Sequence, residues 1–293
     1  MLRPVSKGCL NLHPRTKTLI NLALEEDTAY GDVTSQAIFQ PGHVSGARIL
    51  ARSDTVVCGL EVAARVFQSV DTDINVTTEI SDGDRVANDT VILRAEGPTI
   101  ALLMAERTAL NFLQHLSGIA TLARAFADAA ALTGTGVRIV DTRKTTPGWR
   151  HLEKYAVRCG GCYNHRSSLG EHVLIKETHI VAAGSLANAV KQARDNAPHA
   201  TKIEVEAETL GDVVEALAAG AEVVLLDNMS PPLIQQAVEI IAGAAVVEVS
   251  GGVTLENLLD YALPGVDVIS VGALTHSAPA ADFSMIIPAR VDA

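Results

Sequence analysis

Residues 158–166 read RCGGCYNHR, which sets two cysteines three apart with a histidine and an arginine just behind them. Thiols at that spacing can ligate a metal together with histidine, or cycle as a dithiol. They can also sit idle in a glycine loop whose purpose is to place His165 and Arg166. The neighbourhood is cationic. Between residues 141 and 179 there are seven Lys/Arg (Arg143, Lys144, Arg150, Lys154, Arg158, Arg166, Lys176) against four Asp/Glu, in a chain of formal net charge −11. A local positive cluster in an acidic protein implies an anionic ligand. Arg143 and Lys144 directly follow the apolar run VRIVD and can chelate carboxylate or phosphate oxygens. Arg150, Lys154 and Arg158 are spaced along the helix-type stretch GWRHLEKYAVR, so they either reach the ligand or form a solvated face.

Further polar groups end other apolar runs. Lys176 closes VLIK, Glu206 closes KIEVE and Asp227 closes EVVLLD. Two carboxylates beside cations can hold Mg²⁺ that is shared with phosphate oxygens, work as an acid/base pair, or pair with Lys144 or Lys176. VSGGVT and VGALT then supply Ser250, Gly251, Gly252, Gly272 and Ala273. Glycine lets backbone N–H groups approach an anion, a helix start beyond SGG would add its dipole, and barrel enzymes commonly bind phosphate after the last two strands. No G-x-x-x-x-G-K-[ST] is present, which excludes a P-loop. The residues describe an enzyme for a phosphorylated polyanion with bound Mg²⁺.

The elements that must position these groups come in two styles. From residue 137 onward VRIVD, VLIK, KIEVE, EVVLLD, AVVEVS and VDVISV alternate with helix-type segments, with Ser230-Pro231 and Thr254 as helix starts. That alternation predicts an α/β barrel or an open doubly wound sheet. The barrel is favoured, because site-type residues recur at the carboxyl end of every run. Residues 1–117 instead mix short β-type runs (GARILARS, TVVCGL, INVTTEI, TVILRAEG) with the helix LEVAARVFQSV and read as a smaller domain. A long helical stretch starting at Ile100 joins the two parts, placing Arg107 between Leu103 and Leu110 on neighbouring turns. An arginine flanked by apolar residues wants an anion, and a salt bridge to a nearby glutamate is the simplest one. The expected division is 1–117 and 118–276, with the tail 277–293 packing back on the first domain. Hydrophobic residues make up 48% and aromatics 3%, so the core must be aliphatic. The acidic charge argues against nucleic-acid binding, and no apolar run approaches the roughly 20 residues of a membrane span. Without a leader-type N-terminus or a disulfide framework, the expected location is the cytoplasm.

ERTALNFLQHLSGIAT, DTRKTTPGWRHLEKYAVRCGGCYNHR, LIKETHI, AEVVLLDNMS, VEVSGGVTLEN and GVDVISVGALTHSAP closely resemble the quinolinate phosphoribosyltransferase family, in motif order and spacing over almost the whole chain. The resemblance implies an α/β fold with an N-terminal α/β sandwich domain and an incomplete (β/α) barrel of the type II phosphoribosyltransferase kind. It implies transfer of phosphoribosyl from 5-phosphoribosyl 1-diphosphate to quinolinate, releasing pyrophosphate and CO₂ and giving nicotinate mononucleotide for NAD synthesis. Arg107 (from the partner subunit), Arg143, His165 and Arg166 would hold the quinolinate carboxylates. Lys144 and Lys176 would touch both ligands, and Glu206 and Asp227 would face the ribose hydroxyls and Mg²⁺, so these four are the expected catalytic residues. Thr142 belongs with the substrate contacts, while Ser250, Gly251, Gly252, Val271, Gly272 and Ala273 would hold the 5-phosphate. A homodimer with shared active sites follows, with higher assembly left open.

Set against the family, the opening stretch is a glycine loop. Cys162 stands where the family usually carries glycine, Ser168 replaces a glycine and Thr178 an asparagine. Zinc would need further ligands, and Cys9 and Cys58 are expected far away in the other domain. The competing readings are a same-fold paralogue from molybdate-transport loci with another acceptor, a nicotinate phosphoribosyltransferase, and a non-catalytic phosphate-ligand sensor. Asn164-His165-Arg166 and Leu174-Ile175-Lys176 speak against the first, and Glu206 with Asp227 against the sensor.

Overall fold

Two hydrophobic periods divide the chain, and the structure, a computed structural model that describes residues 3–4 and 13–288, separates them into two units. The first comprises Met1–Leu122, Pro147–Gly160 and Ala278–Ala293; the second comprises Ala123–Thr146 and Gly161–Ser277. In chain order the elements are β1 (Arg3–Pro4), α1 (Pro14–Thr28), α2 (Val33–Ile38), β2 (Val44–Ala51), β3 (Thr55–Val56), α3 (Leu60–Val70), β4 (Asn75–Thr78), β5 (Arg85–Val86), β6 (Val91–Pro98) and α4 (Thr99–Leu132). They continue with β7 (Arg138–Val140), α5 (Arg150–Cys159), β8 (Val173–Ile175), α6 (Glu177–Ala183), α7 (Leu186–Asn196), β9 (Ile203–Ala207), α8 (Leu210–Ala218) and β10 (Val223–Asp227). The last are α9 (Pro231–Ile241), β11 (Val246–Ser250), α10 (Leu258–Tyr261), β12 (Val268–Ser270), α11 (Ala273–His276) and β13 (Phe283–Ile286).

The first unit is built on an antiparallel sheet of order β1-β4-β6-β2-β13. Along β2, Ala47, Ile49 and Ala51 are buried at every second position, the period that puts one face of a strand on the core. Helix α3 buries Leu60, Ala63, Ala64 and Phe67, and packs beside the Ile20 and Leu24 stripe of α1. Strand β13 adds to β2 with Phe283 opposite Ala51. The approach of that tail segment depends on Gly118 in α4, where a Cβ would sit 2.0 Å from the Pro279 carbonyl oxygen.

Helix α5, which the sequence expectation placed in the second domain, groups with the first unit. Its Leu152, Ala156 and Val157 are buried, and Trp149 just before it stacks on Phe112 with centroids 4.6 Å apart. Lys154 is buried rather than part of a solvated face.

The second unit holds six parallel strands in the order β7-β12-β11-β10-β9-β8. Each is a short Val/Ile/Leu run, as expected for strands covered on both faces. The two ends of the order, β7 and β8, do not pair with each other, which leaves the barrel incomplete. Register does the positioning. Leu225 lies opposite Glu206, Asp227 opposite Ser250, Ser250 opposite Ser270, and Ser270 opposite Val140, so the carboxyl ends of the strands form one rim. Helix α9 starts at Pro231 after Ser230, as its sequence predicts, whereas no helix starts at Thr254. Asn257 instead donates to the Gly252 carbonyl and accepts from Thr254 N, drawing 252–257 into an irregular turn before the four residues of α10. The helix dipole expected beyond Gly252 is therefore missing. No helix among the described residues is long and apolar enough to cross a membrane.

Candidate active site

The rim of the parallel sheet collects most of the predicted residues. On β7's end, buried Asp141 accepts from Asn164 Nδ2 at 2.5 Å and from the backbone N of His165 at 2.9 Å. The loop after Cys159 is thus tied down by a carboxylate, and His165 and Arg166 take fixed positions. Arg166 N donates to His165 Nδ1 at 2.8 Å, which leaves the ring proton on Nε2. That Nε2 faces Glu204 at 3.5 Å and Glu248 at 3.4 Å, and His172 Nε2 meets Glu204 at 2.8 Å. Glu204 and Glu248 are both buried.

These two carboxylates feel opposite forces. Burial drives Glu204 up, but the hydrogen bonds and charges of His165 and His172 outweigh it and hold the carboxyl down at about 2. Burial, and then the Glu204 charge, push Glu248 up to about 7, with His165 pulling the other way. Sequence reasoning missed Glu204, Glu248 and His172. A usable signal was there: Glu204 and Glu248 stand two residues before Glu206 and Ser250 in their strands, and positions i and i+2 share a face.

Arg166 is buried; its Nη1 donates to the His172 carbonyl at 3.1 Å, while its buried Nε has no hydrogen-bond partner. Burial, and then the charge of Arg143, lower its affinity for its proton. Glu204 Oε1 and Glu248 Oε1 also lack hydrogen bonds. Buried polar atoms left unbonded are costly and rare, and three of them belong to this group of side chains.

Along the rim, Lys176 Nζ donates to both oxygens of Glu206 at 2.9 and 2.8 Å. Burial raises the Glu206 carboxyl against that bond, and the Asp227 charge raises it further. Asp227 accepts from Asn228 Nδ2 at 2.8 Å. Two carboxylates that repel each other and offer only oxygen donors fit a hard divalent cation such as Mg²⁺. Thr142 Oγ1 accepts from Lys144 N at 3.0 Å, and the Lys144 carbonyl accepts from Thr275 Oγ1 at 2.8 Å, so the lysine's backbone is clamped while its side chain stays exposed.

The phosphate-type loops follow. Gly251 has φ 100°, and a Cβ there would fall 2.2 Å from Asn228 Oδ1, so only glycine is accommodated. Gly272 lies close under Lys144, whose Cδ would be 3.2 Å from a Cβ on that glycine. Val271 is buried and donates its N–H to the Val140 carbonyl at 2.9 Å, while Gly252 is exposed and Ser250 and Ala273 are half-buried.

Arg107 lies on α4 in the first unit and is exposed, without the expected salt bridge among the described residues. The Glu106 carboxyl, raised by burial, is lowered by the Arg107 charge. Of the three departures, Cys162 is buried and donates to the Ala123 carbonyl, with burial pushing its thiol up to about 12. Ser168 and Thr178 are exposed, and Ser168 Oγ accepts from Gly170 N at 3.3 Å. The cysteine expectation needs correcting: Cys58 sits beside Cys159 rather than far from it, and Cys9 lies outside the described residues.

Residues 32–117 match the family described as Quinolinate phosphoribosyl transferase, N-terminal domain, and residues 119–286 match its C-terminal domain. The chain is 42% identical over 273 residues to the "Probable nicotinate-nucleotide pyrophosphorylase [carboxylating]" of Bacillus subtilis, covering 93% of each chain. It is 39% identical over 249 residues to the Homo sapiens "Nicotinate-nucleotide pyrophosphorylase [carboxylating]", covering 84% of this chain and 83% of the relative. The crystal structure of NadC from Streptococcus pyogenes superposes with TM-score 0.89 at 40% identity, over 95% of this chain and 98% of that one.

Proposed function

The chain belongs to the quinolinate phosphoribosyltransferase family, and from that premise we propose how its own residues divide the reaction. The enzyme transfers phosphoribosyl from 5-phosphoribosyl 1-diphosphate to quinolinate, with loss of pyrophosphate and CO₂, and forms nicotinate mononucleotide for NAD synthesis. The paralogue and sensor readings gain no support.

Quinolinate is a dianion, and Arg143, His165 and Arg166 are its cradle. The observation that carries this assignment is the buried Arg166 guanidinium at the rim, whose Nε has no hydrogen-bond partner. Arg166 Nε is the donor without a partner that a carboxylate oxygen would complete. Glu204 and Glu248 draw the Nε2 proton of His165 toward themselves, so His165 meets a quinolinate carboxylate by turning that proton from the glutamates to the ligand. The ring nitrogen attacks the anomeric carbon as the bond to pyrophosphate breaks. Positive charge then grows on the ribose, where Glu206 and Asp227 supply fixed negative charge. Lys144 and Lys176 balance the departing pyrophosphate, which requires Lys176 to exchange Glu206 for ligand oxygens. Ser250, Gly251, Gly252, Gly272 and Ala273 bind the 5-phosphate by backbone N–H groups, Val271 anchors that stretch to the rim with its own N–H held by the Val140 carbonyl, and Thr142 shapes the turn below Lys144. Mg²⁺, held by Glu206 and Asp227, would neutralise diphosphate charge. When the 2-carboxylate leaves as CO₂, Arg143 and Arg166 offset the electron pair left on the ring carbon, and a proton from water then completes that carbon.

Exposed Arg107 serves the site of a second copy in this proposal, which makes the working unit a homodimer. Mixing inactive Arg107→Ala and Lys144→Ala chains tests it: recovered activity supports sharing, and a mixture as dead as its parts refutes it. A cytoplasmic location belongs to the same proposal, supported by a cysteine content without a disulfide framework. The reaction itself is checked by CO₂ release and nicotinate mononucleotide formation with Mg²⁺, with quinolinate and nicotinate as parallel substrates. Turnover of quinolinate alone is expected; turnover of nicotinate alone would overturn the assignment.

A further inference from the structure

Cys159 ends α5 and, although the sequence spaces it with Cys162, its sulfur has another neighbour. Cys162 turns away toward Ala123, whereas the Sγ atoms of Cys58 and Cys159 and a carboxylate oxygen of Asp82 lie within 4.8 Å of one another. All of these residues belong to the first unit. Asp82 is already committed. Its Oδ1 accepts from the backbone N–H groups of Gly59 and Leu60 at 3.0 and 3.1 Å, and its Oδ2 accepts from the Tyr155 hydroxyl at 2.9 Å. Two thiols and one carboxylate already turned to these donors fall short of the four ligands of a structural zinc, which leaves the two sulfurs as each other's reactive partner.

The surroundings hold the pair in place. Cys58 N donates to Ser117 Oγ at 2.9 Å, and the same hydroxyl donates to the Cys58 carbonyl at 3.1 Å. The turn around Gly83 ties both cysteine segments, since Gly83 N donates to the Val57 carbonyl at 2.8 Å and a Cβ on Gly83 would lie 3.3 Å from the Cys159 carbonyl. Access is unequal: Cys58 is fully buried and Cys159 only half-buried. We propose that Cys159 is a nucleophilic thiol and Cys58 its resolving partner, together a dithiol site that takes low-molecular-weight disulfides. The chemistry of the two sulfurs agrees with their access. The neighbouring Cys58 thiol lowers the Cys159 thiol against the effect of burial. The Cys159 thiol, and then burial, raise Cys58.

In the reaction, the Cys159 thiolate attacks one sulfur of a disulfide RSSR, forming a mixed disulfide and releasing RS⁻. Cys58 then gives up its proton and attacks Cys159 Sγ, and the second RS⁻ departs. The two leaving thiolates take up the two protons lost from the protein. Cys58 and Cys159 are oxidised to one disulfide, and RSSR is reduced to two RSH.

The test treats the reduced full chain with oxidised glutathione and maps the products by non-reducing peptide mass spectrometry. The expected product is a Cys58–Cys159 cross-linked peptide. Cys58→Ser is expected to accumulate a stable glutathione adduct on Cys159, and Cys159→Ser to leave Cys58 unmodified. A lasting adduct on wild-type Cys159, a first adduct on Cys58, or cross-linking through Cys9 or Cys162 would overturn the proposal. So would zinc bound stoichiometrically by the reduced protein and lost in Cys159→Ser, which would make the cluster a metal site.

Discussion

Half-buried Asp82 in the first unit and buried Glu204 in the second are both carboxylates, yet their oxygens fare differently. Asp82 has donors on both oxygens, two backbone N–H groups and a tyrosine hydroxyl. Fully buried Glu153, also in the first unit, accepts from His115 Nε2 at 2.8 Å. In the second unit Glu204 and Glu248 each keep one buried oxygen without a hydrogen bond, and so does the Nε of Arg166 close by. A satisfied carboxylate holds a fold together. An unsatisfied cluster costs stability, and a chain keeps it where a ligand completes the bonds. The contrast separates structural charge from working charge within one sequence.

The sharpest way to break that contrast is to exchange the effects of the two kinds of residue. Arg166→Ala is expected to lower kcat/KM for quinolinate by at least about 100-fold while the chain unfolds at a similar temperature, since an incompletely bonded guanidinium is removed. A variant that unfolds early but turns over normally per folded molecule would put Arg166 with the structural set. Glu153→Gln is expected to do the reverse, costing about 3 kcal/mol in urea unfolding and leaving kcat/KM of the folded fraction near wild type.

Glu248 sharpens the comparison through pH. Its carboxyl titrates at about 7 in the folded chain against an ordinary 4.5. A raised carboxyl keeps its full contribution below the ordinary value and loses it as pH climbs through the folded one. Glu248→Gln, which mimics the protonated group, should therefore gain on wild type by about 2 kcal/mol more at pH ~8 than at pH ~5. Denaturant curves at the two pH values read this directly, and a gain that is equal at both would deny the raised titration. The smallest effect belongs to Cys162. Restoring glycine removes a buried thiol bonded to Ala123 and is expected to cost about 1 kcal/mol of stability, with turnover inside a factor of about two.

What the sequence made legible follows from which physics is local. The six parallel strands could be read because each is an unbroken aliphatic run ended by a polar residue, and the rim followed from those ends. Helix α5 was misplaced because its amphipathic pattern says that it packs, but not on which unit. The Thr254 helix start failed because an asparagine side chain three positions on captured the backbone first. Cys58 and Cys159 are a hundred residues apart in the chain, and spacing carries no information about such a meeting. Arg107 looked set for a local glutamate and is instead exposed.

Equilibrium binding of both substrates to wild type, Arg166→Ala and Glu206→Gln tests the central division of the site most directly. The account predicts that Arg166→Ala loses quinolinate but keeps 5-phosphoribosyl 1-diphosphate with Mg²⁺, and that Glu206→Gln does the opposite. Quinolinate binding that survives in Arg166→Ala and fails in Glu206→Gln would contradict it.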